Sequence, residues 1–315
     1  MSRGTKDGDN MISRADKFPA GKLNPRDSDR VININKNPSS ESPQFVSLET
    51  MAITVGVLAL QGAFFEHVQL LKKAAEQAPQ SEWQFIEVRT PQELATCDGL
   101  VCPEARVPPC LWSQQGRIFS SPCGNLVDRK PTWGTCAGLI LLAESANKTK
   151  KGGQELIGGL DVRVNRNHFG RQTESFQGPL DLPFLGQDAP PFPAVFIRAP
   201  IVEKILPHHE GIQTEEVQQE DVVVAPSREV RDSVAQAATA EHVEVLATLV
   251  GPAARRATEG RDINPDQEVG DIVAVRQGNV FGTSFHPELT GDARIHTWWL
   301  REVQAAVLKR DKLKQ

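Results

Sequence analysis

The sequence predicts an α/β protein of three layers, a mostly parallel sheet flanked by helices. Three observations carry that prediction. From Ile53 onward, short apolar strand patterns alternate with amphipathic helical ones, the order that builds parallel sheets with crossover helices. A G-x-C-x-G turn, Gly134-Thr135-Cys136-Ala137-Gly138, joins a strand pattern (PTW) directly to a helical one (LILLA). A long amphipathic helix, DARIHTWWLREVQAAVLKR, follows the last strand pattern.

Residues 1–50 are rich in Asp, Asn, Ser, Lys and Pro, with almost no paired apolar positions, and read as a disordered N-terminal extension. Met51 is followed at once by ITVGVLAL, so either Met1 or Met51 serves as the start, and the folded domain is expected over 51–310. ITVGVLAL reads as a buried strand. AFFEHVQLLKKAAEQ reads as a helix with Phe64, Val68, Leu71 and Ala75 on one face. WQFIEVR and DGLVC are strands, and AGLILLAESA is expected to be one buried helix. GGLDVRVNRN and AVFIRAP come next. DIVAVRQ and VFGTSF are strands joined by Gly278-Asn279, a hairpin signal. Ahead of that hairpin, residues 206–270 form a Glu/Gln/Ala-rich, insertion-rich region with short strand patterns at VVVAPS and VLATLV.

Composition narrows the function. The 315 residues carry a formal charge of −5 and a pI near 5.9, which argues against nucleic acid or an anionic membrane as the partner. No apolar run reaches the roughly 18 residues of a membrane span, and the N-terminus lacks the apolar core of a secretory signal. Five cysteines (Cys97, Cys102, Cys110, Cys123, Cys136) are an odd number without metal-ligand spacing. A reduced, cytoplasmic protein is expected.

The chemistry concentrates at two places. In the G-x-C-x-G turn, Cys136 would sit on a strand-to-helix elbow, where the helix N-terminus favours thiolate over thiol. His286-Pro287-Glu288 directly follows VFGTSF, so a strand end could aim an imidazole at a nucleophile and let a carboxylate two residues on fix its tautomer. Taken singly, the first fits a buried structural cysteine and the second a surface turn. Together they make a Cys136–His286–Glu288 acyl-transfer triad the better account. His67, His168, His208, His209, His242 and His296 have no comparable context and read as surface or satisfied polar residues.

On VGVLALQGAFFEH, GTCAGLILLA, GGLDVRVNRNHFGRQTESF, VFIRAP and GTSFHPEL, the chain from Ile53 to about Lys309 resembles the glutaminase subunits of pyridoxal 5′-phosphate synthase, a class I (triad-type) glutamine amidotransferase family. The resemblance implies Cys136 as nucleophile, His286 and Glu288 as its relay, and Arg166, Ile197 and Arg198 in glutamine binding. It implies hydrolysis of L-glutamine to glutamate and ammonia. The ammonia would pass to a separate synthase subunit in a hetero-oligomer, with no metal or redox cofactor. The RNxFGRQ segment sets this group apart from glutaminases that serve histidine, purine or GMP synthesis.

One stretch departs from that pattern. After Val101-Cys102-Pro103 the family should continue with a glycine loop, G-G-E-S-T-T, and then a helix. This chain has Glu104-Ala105-Arg106-Val107-Pro108-Pro109-Cys110 instead. A coding string CCC GGA GGC GAG AGT ACC ACC ATG followed by a T, with one G deleted after the proline codon, reads CCC GAG GCG AGA GTA CCA CCA TGT, which is P-E-A-R-V-P-P-C. An inserted base near Val127 restores VDRKPTWG. Residues 104–127 therefore read as a compensated frameshift, either in the nucleotide record or in the gene. The oxyanion hole would draw on the N–H of Ala137 and, on the loop side, on that of Ala105. Two rivals to an active glutaminase of this pathway follow: a triad glutaminase serving another synthase, and a catalytically impaired subunit that binds the synthase without its glycine loop.

Overall fold

A computed structural model of the chain describes residues 52–78, 81–104, 123–148, 155–166, 175–209, 211–226, 233–250 and 270–313. The expectations for the 1–50 extension and for most of the 104–127 segment lie outside the described residues.

The strands that carry the candidate site come first. β1 (Ile53–Leu58) pairs in parallel with β2 (Trp83–Val88) and β3 (Gly99–Cys102). β3 pairs in parallel with β4 (Thr132–Thr135). Helix α1 (Phe64–Ala75) makes the first crossover, and its predicted face is the one turned to the core. The second crossover is α2 (Pro91–Thr96), which begins with a capping box. The Thr90 hydroxyl accepts from the Glu93 N–H at 3.3 Å, and the Glu93 carboxylate accepts from the Thr90 N–H at 2.9 Å.

After β4, α3 (Ala137–Leu142) is shorter than its sequence suggests. Residues Ala143–Asn147 leave the helix as strand β5. Ala-Glu-Ser-Ala has no strong strand preference of its own. It is drawn into the sheet by parallel pairing with β6 (Leu160–Asn165), which overrides the propensity of Ala and Glu for helix.

β7 (Phe176–Leu180) and β8 (Phe192–Phe196) form a separate antiparallel pair. β9 (Ile201–Ile205) returns to the main sheet beside β6. The 206–270 region adds α4 (Thr214–Val217), β10 (Val222–Val224), α5 (Ser233–Ala238) and β11 (Glu244–Leu249). β10 pairs with β5 and β11 with β12 (Asp271–Gln277), so this region supplies sheet edges as well as loops. β12 turns through Gly278, at φ 56°, into β13 (Val280–Thr283), the predicted hairpin. α6 (Arg294–Leu313) follows.

The main sheet runs β10-β5-β6-β9-β12-β13-β4-β3-β1-β2. From β13 to β2 every pairing is parallel, and the antiparallel contacts gather on the far half. Neighbouring residues alternate between the two faces, as strand geometry requires. Val101 lies in the core under α1 and α6, with Trp299, Leu300 and Val303. Leu100 and Cys102 lie in the core under α2 and α3, with Leu94, Leu139 and Leu141. This is the expected three-layer α/β architecture. It brings the carboxyl ends of β3, β4 and β13 side by side, where ligands bind in such sheets.

Candidate active site

β4 leads into α3 without an intervening loop, and Cys136 absorbs the change of direction with φ 49° and ψ −105°. A positive φ outside glycine stores of order 1–3 kcal/mol and persists only where neighbours hold it. Here the Cys136 N–H donates to the Thr283 carbonyl of β13 at 2.8 Å, and its own carbonyl accepts from the Leu139 N–H at 3.1 Å. The two flanking glycines answer to close backbone approach. A Cβ on Gly134 would overlap the Gly138 carbonyl, and one on Gly138 would overlap the Cys102 carbonyl at the end of β3. The G-x-C-x-G spacing is thus what lets strand, helix and neighbouring strand meet at the thiol.

His286 stands just past β13, with its N–H donating to the Val195 carbonyl of β8 at 2.8 Å. A 3-10 turn over Pro287–Leu289 brings Glu288 back beneath the ring. His286 Nδ1 donates to Glu288 Oε1 at 2.8 Å, with both side chains buried. The Cys136 sulfur, a His286 ring nitrogen and a Glu104 carboxylate oxygen lie within 4.8 Å of one another. Cys136, His286 and Glu288 are therefore brought together as the sequence suggested.

The electrostatics correct one expectation. Burial raises the Cys136 thiol above its ordinary value, more than His286 lowers it, and the nearby Glu104 and Glu288 carboxylates raise it further. A helix of six residues with its N-terminus beneath a buried sulfur does not offset that desolvation. His286 moves the other way. Burial opposes its charged form, yet Cys136 and Glu288 push its imidazole up to about 11. For Glu288 burial alone would raise the carboxyl, but the nearby His67 and His286 imidazoles, His286 by a hydrogen bond, hold it well below the usual range. The other described thiols are unsuited to attack. Burial pushes Cys97 up to about 11, Cys123 up to about 12 and Cys102 well above its ordinary value. None of these three has a histidine among the causes of its shift. Cys110 lies outside the described residues.

Of the oxyanion donors, Ala137 is the first residue of α3, where a backbone N–H has no partner within the helix. Ala105 lies outside the described residues. In front of it, Glu104 is only partly buried and places a carboxylate oxygen 3.8 Å from His286 Nε2. Among the described residues, Glu104, Cys136 and His286 are also the one cluster of donors close enough to share a metal ion. An ion there would take the thiol out of any reaction.

The expected substrate-binding residues are more dispersed. Ile197 and Arg198 directly follow β8, whose Val195 carbonyl holds the His286 backbone. Arg198 has a positive φ of 47°. Arg166 directly follows β6, is buried, and donates its backbone N–H to Asn147 Oδ1 at 2.8 Å. Desolvation lowers its guanidinium to about 10. A buried cation with this character suits a carboxylate ligand.

Two residues that sequence reasoning set aside belong to the site. His67 on α1 and His296 on α6 are wholly buried, and His67 Nε2 lies 3.3 Å from Glu288 Oε2. Only the E-H pair within AFFEH hinted at this, and nothing local distinguished it from a surface histidine.

An elbow cysteine facing a histidine–glutamate pair, on the carboxyl ends of adjacent parallel strands, is the arrangement of cysteine-dependent acyl-transfer enzymes. The sequence profile of the SNO glutamine amidotransferase family matches residues 57–245 and 232–305, and the chain belongs to that family. It is 36% identical over 253 residues to a probable pyridoxal 5′-phosphate synthase subunit PDX2 of Arabidopsis thaliana, covering 79% of this chain and 85% of the relative. It is 38% identical over 256 residues to a pyridoxal 5′-phosphate synthase subunit PdxT of Leifsonia xyli subsp. xyli, covering 80% and 97%. A crystal structure of a glutamine amidotransferase aligns over 79% of this chain and 98% of its own, at 30% identity and a TM-score of 0.51.

Proposed function

We propose that this protein is the glutaminase subunit of a pyridoxal 5′-phosphate synthase. It hydrolyses L-glutamine to glutamate and ammonia in the cytoplasm and hands the ammonia to a synthase subunit within a hetero-oligomer. The observation that carries the reading is the elbow cysteine Cys136 beside the His286–Glu288 pair, in a chain whose relatives are named as subunits of that synthase. Among the described residues no helix is long and apolar enough to cross a membrane.

The residues then have the following roles. The Cys136 thiolate attacks the carboxamide carbon, and the C–O π electrons move onto oxygen. The Ala137 N–H and a second donor from the 104–105 side stabilise that oxyanion. His286 gives its Nε2 proton to the departing nitrogen, and ammonia leaves with formation of a γ-glutamyl thioester. His286 next takes a proton from water, hydroxide adds to the thioester, and glutamate leaves as sulfur is released. Glu288 holds His286 in the tautomer that both steps require. Arg166, Ile197 and Arg198 bind the amino-acid end of glutamine.

Glu104 favours one competing reading, that of a subunit which docks on the synthase but turns glutamine over poorly. Its carboxylate stands 3.8 Å from His286 Nε2, next to Ala105, the residue from which the second oxyanion donor would come. One assay separates the readings. Ammonia release from glutamine is measured with the purified chain alone and with candidate synthase subunits added one at a time. Stimulation by the pyridoxal phosphate synthase subunit supports the proposal. Binding without ammonia supports the impaired subunit, and stimulation by a different synthase overturns the pathway assignment.

A further inference from the structure

Glu288 has two carboxylate oxygens, and the triad uses only one of them. Oε1 accepts from His286, while Oε2 faces the opposite way, towards His67 Nε2 at 3.3 Å. His67 comes from α1, on a different layer from the strand ends that carry the triad. Its Nε2 also lies 3.4 Å from the Thr135 hydroxyl, one residue before the nucleophile. Its other ring nitrogen, Nδ1, is 3.0 Å from His296 Nε2 on α6. Both rings are walled by Trp133, with centroid separations of 5.5 and 5.0 Å.

The protons of this buried chain can be assigned. Burial pushes the His296 imidazole well below its ordinary range, so it stays neutral and carries a single N–H. Its Nδ1 has no hydrogen-bond partner. A buried donor left unpaired costs about 1–3 kcal/mol, so the proton belongs on Nε2, where it meets His67. His296 Nε2–H then donates to His67 Nδ1. That leaves the His67 proton on Nε2, facing Glu288 and Thr135. The carboxylate is thereby hydrogen-bonded by His286 on one oxygen, while the other, buried and without a hydrogen-bond partner, stands 3.3 Å from the His67 Nε2 proton.

We propose that His67 is a positioning residue for the triad, with His296 fixing its tautomer. It clamps the free oxygen of Glu288, so that the other oxygen stays aligned with His286 Nδ1 when His286 exchanges its proton. The inference rests on the proposed roles of Cys136, His286 and Glu288. A carboxylate held only by His286 could rotate about its last torsion and break the 2.8 Å bond that sets the imidazole. Among the described residues, the charged and titratable groups around Glu288 are His286 on its own loop, His67 on α1, His296 on α6, Cys136 after β4 and Glu104 after β3.

The test reads the Cys136–His286 pair without needing turnover. The rate of Cys136 alkylation by iodoacetamide is followed from pH 5 to 10 in the full chain, with Cys136→Ala as the blank. His67→Leu should move the reactive limb to higher pH, labelling about tenfold more slowly below the inflection. His67→Gln, whose amide reaches about as far as Nε2, should recover most of the loss, and His67→Asn, which reaches only to Nδ1, should not. Where turnover is measurable, the same loss should fall on kcat, with KM changed by less than about twofold. Folded His67→Leu with the wild-type profile would overturn the proposal. If that variant does not fold, equal profiles for His67→Gln and His67→Asn would overturn it. If His286→Asn leaves the profile unchanged, the triad reading itself fails, and this inference fails with it.

Discussion

On one side of Cys136, β4 and β13 deliver the elbow, His286 and Glu288. On the other, β3 ends at Cys102 and Pro103 and presents Glu104. The first side is over-determined: a strained backbone angle is held by two hydrogen bonds, two glycines sit where no Cβ would fit, and Glu288 touches histidines from two layers. The second side brings a carboxylate oxygen to 3.8 Å from His286 Nε2. The two sides work against each other electrostatically. His286 favours the Cys136 thiolate, while Glu104 raises the thiol. On the roles proposed above, the two sides make separable contributions, and removing each should cost a different amount.

Removing the nucleophile gives the largest effect. Cys136→Ala, in a version of the chain carrying GGESTT from position 104, should abolish ammonia release, a loss of roughly 10⁴-fold or more. Retained turnover, measured with coupled glutamate dehydrogenase, would break the assignment of the well-formed side. The relay should come next. His286→Asn should be far slower than Glu288→Gln, which keeps a side chain beneath the ring and should remain measurable. The reverse order in single-turnover kinetics would exchange their roles.

The layers, the hairpin, α1, α6 and the meeting of Cys136, His286 and Glu288 could all be read from the chain, because each rests on local pattern. The elbow spans five residues and the His-Pro-Glu turn three, and both carry their geometry in their own spacing. What escaped was non-local. His67 and His296 are 229 residues apart in sequence, and their meeting depends on how α1 and α6 pack beneath β4. The strand at Ala143–Asn147 escaped because its partner strand, not its composition, decides its state. Cys136 was expected to be acidified by its helix. Its desolvation is a property of the assembled core, which no short stretch of sequence displays.

The loop side should give a middling effect. With its synthase partner, the chain as written should release ammonia at least about a hundredfold more slowly than the GGESTT version, the usual penalty for a lost oxyanion donor. Both proteins must be soluble and matched by circular dichroism. Equal rates would show that the donor comes from elsewhere and that the contrast between the two sides has no catalytic meaning.

The smallest effect isolates charge from backbone. Glu104→Gln keeps the side chain's size and leaves the loop's course unchanged, but removes the carboxylate 3.8 Å from His286 Nε2. Glu104 raises the Cys136 thiol, so its loss should lower that value and allow thiolate to form at lower pH. The sign follows from like charges, since a carboxylate beside a sulfur disfavours the second negative charge. Iodoacetamide labelling of Cys136 should therefore become a few-fold faster below the inflection and unchanged well above it, as for a modest shift at a partly solvated pair. Ammonia release should change far less than on restoring GGESTT, because this substitution adds no backbone donor. If Glu104→Gln alone recovered the hundredfold, charge and not the missing N–H would be the defect on that side. If it slowed labelling, Glu104 would be acting as a partner of His286, and the opposition between the two sides would dissolve.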